Sequence, residues 1–223
     1  MARRTAADAA QTRDDVLGSA RRLFTERGYH HVAVPEIAKA AGVTHGALYH
    51  HFPTKHDLFR AVFDQVEHEL NDAVIAAALA EPTAWDSFVA GARRVLDALA
   101  DPAYRQVALT DAPSVFGWHE WRTVDASIGL QTLRAGLDML QDDGFLGDVD
   151  LDAFAVLLFG ALTEGTITLA KGDAAIERAG DALDLDAPLF GDVDLRDLRH
   201  VSSEYILHRD AAAGPLWQSL FPT

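Results

Sequence analysis

The run Thr44-His45-Gly46-Ala47-Leu48-Tyr49-His50 holds donors and acceptors at spacings that suit one face of a short helix. A threonine hydroxyl at Thr44 can cap a helix start, leaving other terminal amides free to meet an anion. His45 and Tyr49 are four residues apart and share a face, with His50 beside them. Gly46 has no side chain and permits close approach of the chain to another surface. Lys55, just beyond, is a point charge for a phosphate. This is the chemistry of base edges and sugar-phosphate, not of bond making.

A second group of polar residues interrupts apolar sequence. Thr163, Glu164 and Thr166 do so in LLFGALTEGTITLA, and Asp111, His119, Arg122 and Asp125 surround an aromatic run. A carboxylate in such a setting must be paired, solvated or used. For Glu164 the partner is Arg122, His119 or a cationic ligand; a structural ion pair or a polar group at a dimer seam fits equally. Aromatic walls with a few polar groups typify small-molecule pockets, although aromatics on helices also build plain core. The candidate ligand-binding residues are Trp85, Phe88, Tyr104, Asp111, Phe116, Trp118, His119, Trp121, Arg122, Phe159, Thr163 and Glu164. The candidate dimer-interface residues are Leu157, Gly160, Ala161, Gly165 and Thr168, where the small Gly160 and Gly165 among large apolar neighbours suit close helix packing between two copies. The sequence carries no Ser-His-Asp order, phosphate loop or HExxH motif, so it reads as no enzyme. The adjacent pairs His30-His31 and His50-His51 give poor ligand geometry, and neither metal nor cofactor is expected.

Helices must position these residues. In Thr12–Arg27, Val16, Leu17, Ala20, Leu23 and Phe24 form one buried face. Thr12 is the expected cap, with Asp14 and Asp15 in the first turn, and Gly28 the stop. A short helix from Pro35 to Ala41 ends at Gly42, where the chain turns and a side chain would crowd its neighbour. A third helix, capped by Thr44, runs to His51, and Pro53 closes it. Ile37, Ala38, Val43, Leu48 and Phe52 face inward. A long helix over 55–80 carries the stripe Leu58, Val62, Val66, Leu70 and Val74. Further helices are expected at 84–100, 103–111, 118–142, 151–171, 174–184 and 194–209, with breaks at Pro102, Pro113, Gly144 and Gly172 and a loop at 185–194. No strand pattern or repeat appears. The fold class is all-α: an N-terminal three-helix helix-turn-helix domain, residues 1–54, and a larger helical domain, residues 55–223.

Composition agrees. Hydrophobic residues are 49% of 223 and charged residues 24%, as in globular chains. There is no cysteine, which fits a reducing cytoplasm. The N-terminus has arginines but no apolar run behind them, so no signal peptide is read there, and no apolar stretch suits a membrane span. The net charge of −15 is unevenly spread. Residues 1–55 hold eight Lys/Arg and five Asp/Glu, and six of the ten histidines lie at positions 30–56. A basic head on an acidic body follows, which suits a polyanion at one end.

The stretch LFTERGYHHVAVPEIAKAAGVTHGALYHHFPTKHDL, residues 23–58, resembles the N-terminal domain of the TetR family of transcriptional regulators. The carrying motifs are LFxERGY, IAxAAGV, GALYHHF and the Pro-Thr-Lys that follows. The run LTDAPSVFGWHEWRTVD also resembles a ligand-domain type of one TetR subgroup. The resemblance implies a homodimer on a palindromic double-stranded DNA operator, released by a small-molecule effector in the second domain, with a ligand-responsive or ligand-independent activator as the alternative. It implies that Thr44, Tyr49, His50 and Lys55 contact phosphate and that His45, Gly46, Ala47 and Tyr49 face base edges or the adjacent backbone. It also implies that helix 151–171 and the next helix form the dimer interface. One departure stands at Val32-Ala33, where the family commonly has Thr or Ser. Ala33 cannot cap the second helix, a loss of about 1 kcal/mol, nor touch phosphate. Arg3 and Arg4 are either an arm that reaches DNA or a tail that does not.

Overall fold

The computed structural model describes residues 6–170, with side chains over 7–165. Arg3 and Arg4, the side chain of Thr168, the break at Gly172, the helices expected at 174–184 and 194–209 and the loop between them lie outside the described residues. Helix α1 runs Ala6–Arg27, starting well before the expected cap. Alanine is the best helix former, and the segment AADAAQ extends the helix upstream. Thr12 is therefore internal: it is buried, and its hydroxyl donates to the Asp8 carbonyl at 2.8 Å. Val16, Ala20 and Phe24 are fully buried on the inner face.

Helix α2 covers Val34–Ala40 and α3 covers His45–His51. Ala33 gives α2 no side-chain cap. Glu36 supplies the other half of a capping pair, accepting the Ala33 N–H at 2.8 Å. Arg27 holds Glu36 at 3.0 Å and the His31 carbonyl at 2.7 Å. The Ala33 amide, then Arg27, keep the Glu36 carboxyl below its ordinary range. The missing hydroxyl is thus partly offset from the partner position.

Gly42 corrects one expectation. No atom lies within 4 Å of where its Cβ would stand, so nothing is crowded there. What demands glycine is the backbone, with φ at +67°. The turn is a Schellman end: Val43 N–H donates to Ala38 O at 3.0 Å and Gly42 N–H to Lys39 O at 3.2 Å. It sets α3 across α2, with Ile37, Ala38, Leu48 and Phe52 buried between them.

Helix α4, Lys55–Leu79, leads from the head into the body. Thr54 caps it reciprocally with Asp57. Then come α5 (Ala84–Ala100), α6 (Pro102–Tyr104), a π-helical turn (Arg105–Asp111), α7 (Ala112–Phe116), α8 (Trp118–Asp142) and α9 (Leu151–Ala170). Pro113 does not break the chain as expected. It sits in the first turn of α7, where no amide hydrogen is needed, and the break falls at Gly117, φ +78°.

One core runs through head and first part of the body without interruption at residue 54. Phe24, Ile37, Leu48, Phe59 and Phe63 share it with Val107, Ala108, Ala112 and Trp121. A second core gathers Leu137, Leu140, Leu146, Leu151 and Ala155, with Trp85 and Phe88 against it. At Gly129 a Cβ would come within 2.9 Å of the Phe159 ring, which shows how closely α8 and α9 approach. The described residues lie in one compact unit.

Gly42→Ala is expected to destabilise the chain by about 1–2 kcal/mol through its left-handed backbone. Gly46→Ala, in open space on a helix, is expected to be neutral or stabilising by up to about 1 kcal/mol. Denaturant melts of the two variants check this difference in sign.

Candidate functional site

The outer face of the head is built on α3. Thr44 caps it, accepting the Ala47 N–H at 3.2 Å. His45, Tyr49 and His50 are exposed, and the His45 and Tyr49 rings meet edge to face at 4.7 Å. Open space lies above Gly46. Buried Leu48 on the opposite side anchors the helix. The structure therefore brings Thr44, His45, Gly46, Tyr49 and His50 to one solvent-facing surface, with Ala47 half-buried beside them.

Lys55 is placed differently from an extended surface lysine. Its Nζ donates to the Tyr29 carbonyl at 2.5 Å and stands 4.0 Å from the centre of the Tyr29 ring. Burial lowers the pKa of this ammonium, and the charge of Asp111 opposes that shift. Lys55 ties the start of α4 to the turn after α1.

That turn is the meeting point of head and body. Gly28 has φ +77°, and a Cβ there would stand 3.1 Å from Gln106 Nε2 and 3.6 Å from Asp111 Oδ1. The following amide, Tyr29 N–H, donates to Asp111 Oδ2 at 2.7 Å. Asp111 is only 4% exposed and closes the π-helical turn. His30 Nε2 lies 3.3 Å from Ser114 Oγ. Phe116 joins the same seam, its ring 5.5 Å from Phe59 and 5.1 Å from His56. Asp111 and Phe116, expected in a ligand pocket, are thus at the head–body junction.

Deeper in the body lie Tyr104, Trp121, Arg122 and Phe159. The Trp121 indole N–H donates to Ala108 O at 2.9 Å, fastening the π-helical turn to α8. Arg122 pairs with Asp125 at 2.6 Å and lies 4.6 Å from the Phe159 ring centre. The Tyr104 hydroxyl donates to Glu67 at 3.0 Å. Glu67 is a buried carboxyl on α4 that sequence reading missed. Its signal was present: it falls on the helical stripe Phe63, Glu67, Leu70, Val74. Burial first, then the charge of Asp125, push Glu67 up to about 8. Burial also raises Asp125 above its usual range, against the pull of Arg122.

The other expected ligand residues scatter. Trp85 and Phe88 pack in the second core. Trp118 is 56% exposed, His119 and Glu164 are exposed, and Thr163 turns its hydroxyl back to the Phe159 carbonyl at 2.8 Å. On α9, Ala161 is exposed and open space lies above Gly160 and Gly165, with Leu157 half-buried alongside. Among the described residues, no group of three or more His, Cys, Asp or Glu is arranged to hold a metal. No described helix is long and apolar enough to cross a membrane.

A Schellman-turned pair of helices with an exposed, capped third helix, carried on a helical body, defines a helix-turn-helix DNA-binding regulator. Residues 16–62 match the model for bacterial regulatory proteins of the tetR family, and residues 85–187 match that for the tetracyclin repressor-like C-terminal domain. The chain belongs to the TetR family of transcriptional regulators. It is 44% identical to the HTH-type transcriptional regulator AcrR of Shigella flexneri over 32% of this chain and 34% of that protein, so it spans about a third of that relative's length. A crystal structure of a TetR-family regulator from Pectobacterium atrosepticum superposes with TM-score 0.71 at 29% identity, over 82% of this chain and 96% of that one. FadR from Bacillus subtilis, solved with stearoyl-CoA, shares the fold with TM-score 0.62 at 19% identity, over 80% and 98% of the chains.

Asp111→Ala leaves the Tyr29 amide without its acceptor and is expected to cost about 1–3 kcal/mol. Lys55→Ala is expected to lower the melting temperature of DNA-free protein as well. An unchanged melt for Lys55→Ala would return that lysine to a purely solvent-facing role.

Proposed function

We propose that this regulator is a repressor that binds a palindromic operator as a homodimer and leaves it when a small molecule enters the body. The observation that carries the reading is the capped, exposed face of α3, rigidly seated on a core that continues into the body. His45 and Tyr49 face base edges, Gly46 and Ala47 allow the duplex close, and Thr44, Tyr49 and His50 meet phosphate. Lys55 adds a backbone contact through whatever part of its charge Tyr29 leaves accessible. Two heads about 34–36 Å apart would read successive major grooves.

Residues 1–54 are the reading head and 55–223 the sensing and dimerising body in this account. The effector site is drawn around Tyr104, Arg122 and Phe159, with Glu67 now added. A fold relative that holds stearoyl-CoA supports a ligand-taking body. The open face of α9, with Leu157, Gly160, Ala161 and Gly165, is the proposed seam between copies, and Thr168 belongs to the same proposal from the sequence alone. The protein works in the cytoplasm beside its DNA and catalyses no reaction. Ligand preference for the non-binding state by about 1–3 kcal/mol would change operator affinity roughly 5–150-fold.

Selection from a random duplex library should return a palindrome, and reporter output should rise when the gene is deleted. His45→Ala is expected to change preference among operator variants by about 1–3 kcal/mol at one position. Recovery of no sequence preference would overturn the operator reading, and falling reporter output would favour an activator. Ala161→Arg on the α9 face should convert a dimer to a monomer in sedimentation; a dimer that persists would place the seam elsewhere.

A further inference from the structure

Glu67 sits where the helix that carries the head passes through the body. It is 6% exposed, and its carboxyl is held by the Tyr104 hydroxyl of α6 at 3.0 Å. From α8 it faces Asp125, whose partner is Arg122; Asp64, one turn back on α4, is bound to Arg60. α5 packs closely on α4, and at one point of that contact Gly91 lies against Val74. The apolar core that α4 crosses includes Phe63, Val66, Val107, Trp121 and Val124. Arg122 already meets the charge of Asp125, so a proton on Glu67 removes its repulsion with that carboxylate.

We propose that Glu67 is a proton-operated latch inside the body: neutral, it lets α4 pack beside Asp125 of α8, and ionised, it is repelled by that carboxylate and forces α4 and α8 apart. The charged form has lost water and faces Asp125, so the closed packing carries the penalty of ionisation. Its consequence for DNA rests on the operator reading above, because α4 leads directly into the recognition helix. Opening of the body re-aims the head and weakens operator binding.

The direction follows from linkage. Glu67 titrates near 8 in the folded chain against 4.5 ordinarily. The closed state thus binds a proton that the open or unfolded state has released. Its advantage is complete below the ordinary value, shrinks as pH rises, and is gone above about 8. Tyr104 stabilises the ionised form by donating to it, and Asp125 opposes that form.

The test compares full-length wild type and Glu67→Gln between about pH 6 and pH 9 at constant ionic strength, by chemical melts without DNA and by operator titration. The glutamine is a permanently neutral mimic that keeps every histidine of the head. The wild-type folding constant should fall relative to Glu67→Gln by up to about tenfold per pH unit and level off above about 8. Operator affinity should fall over the same interval. Tyr104→Phe should move the levelling point to higher pH and Asp125→Asn to lower pH. A constant ratio of wild type to Glu67→Gln at all pH values would overturn the latch. So would Tyr104→Phe and Asp125→Asn shifts in the reverse order. The expected melts without operator binding at any pH would support the latch and overturn the DNA-binding reading instead.

Discussion

Gly28 carries a φ of +77°, and this left-handed residue turns the end of α1 so that the Tyr29 amide reaches Asp111 in the body at 2.7 Å. Three constraints meet there. The backbone needs glycine, the space beside it is filled by Gln106 and Asp111, and the amide is partly buried and needs an acceptor. Lys55 closes the arrangement from α4 by taking the Tyr29 carbonyl. One residue's two peptide groups are thus bound by the body and by the helix leading into it.

The π-helical turn makes this possible. It is anchored to α8 by Trp121, lies next to Tyr104 at its start, and ends in Asp111 against the head. A widened turn packs less regularly than an α-helix and is a common functional device. With Tyr104 just before it, the turn brings a polar contact to the head and a polar contact to Glu67 within one short segment. Burial of Glu67 and Asp125 is costly, and the fold places that cost on α4, which leads from the head into the body, and on α8.

Much of this was legible in the sequence. Apart from the π-helical turn and α7, the helix order through residue 170 followed from apolar spacing and from Gly and Pro punctuation, and the exposed face of α3 followed from Thr44 and Leu48. What was missed has physical reasons. Thr12 looks like a cap because threonine caps helices, but the alanine-rich segment before it propagates helix past that point. Pro113 looks like a break because the widened turn that accommodates it has no sequence signature. Asp111 and Phe116 read as pocket candidates because aromatic and acidic groups line pockets and packed seams alike, and their place beside Tyr29 and Phe59 needed the tertiary structure. Lys55 reads as a surface charge until Tyr29 is brought beside it across 26 residues. Glu67 was passed over because a single glutamate on a long amphipathic helix is ordinarily solvated.

The central claim is that head and body are coupled through the Tyr29 peptide. Amide hydrogen exchange at Tyr29 tests it most directly. The account predicts exchange at Tyr29 N–H as slow as at core amides such as Phe63, and faster exchange in Asp111→Ala with the α3 core still protected. Exchange at Tyr29 as fast as in an exposed turn in the native protein would contradict it.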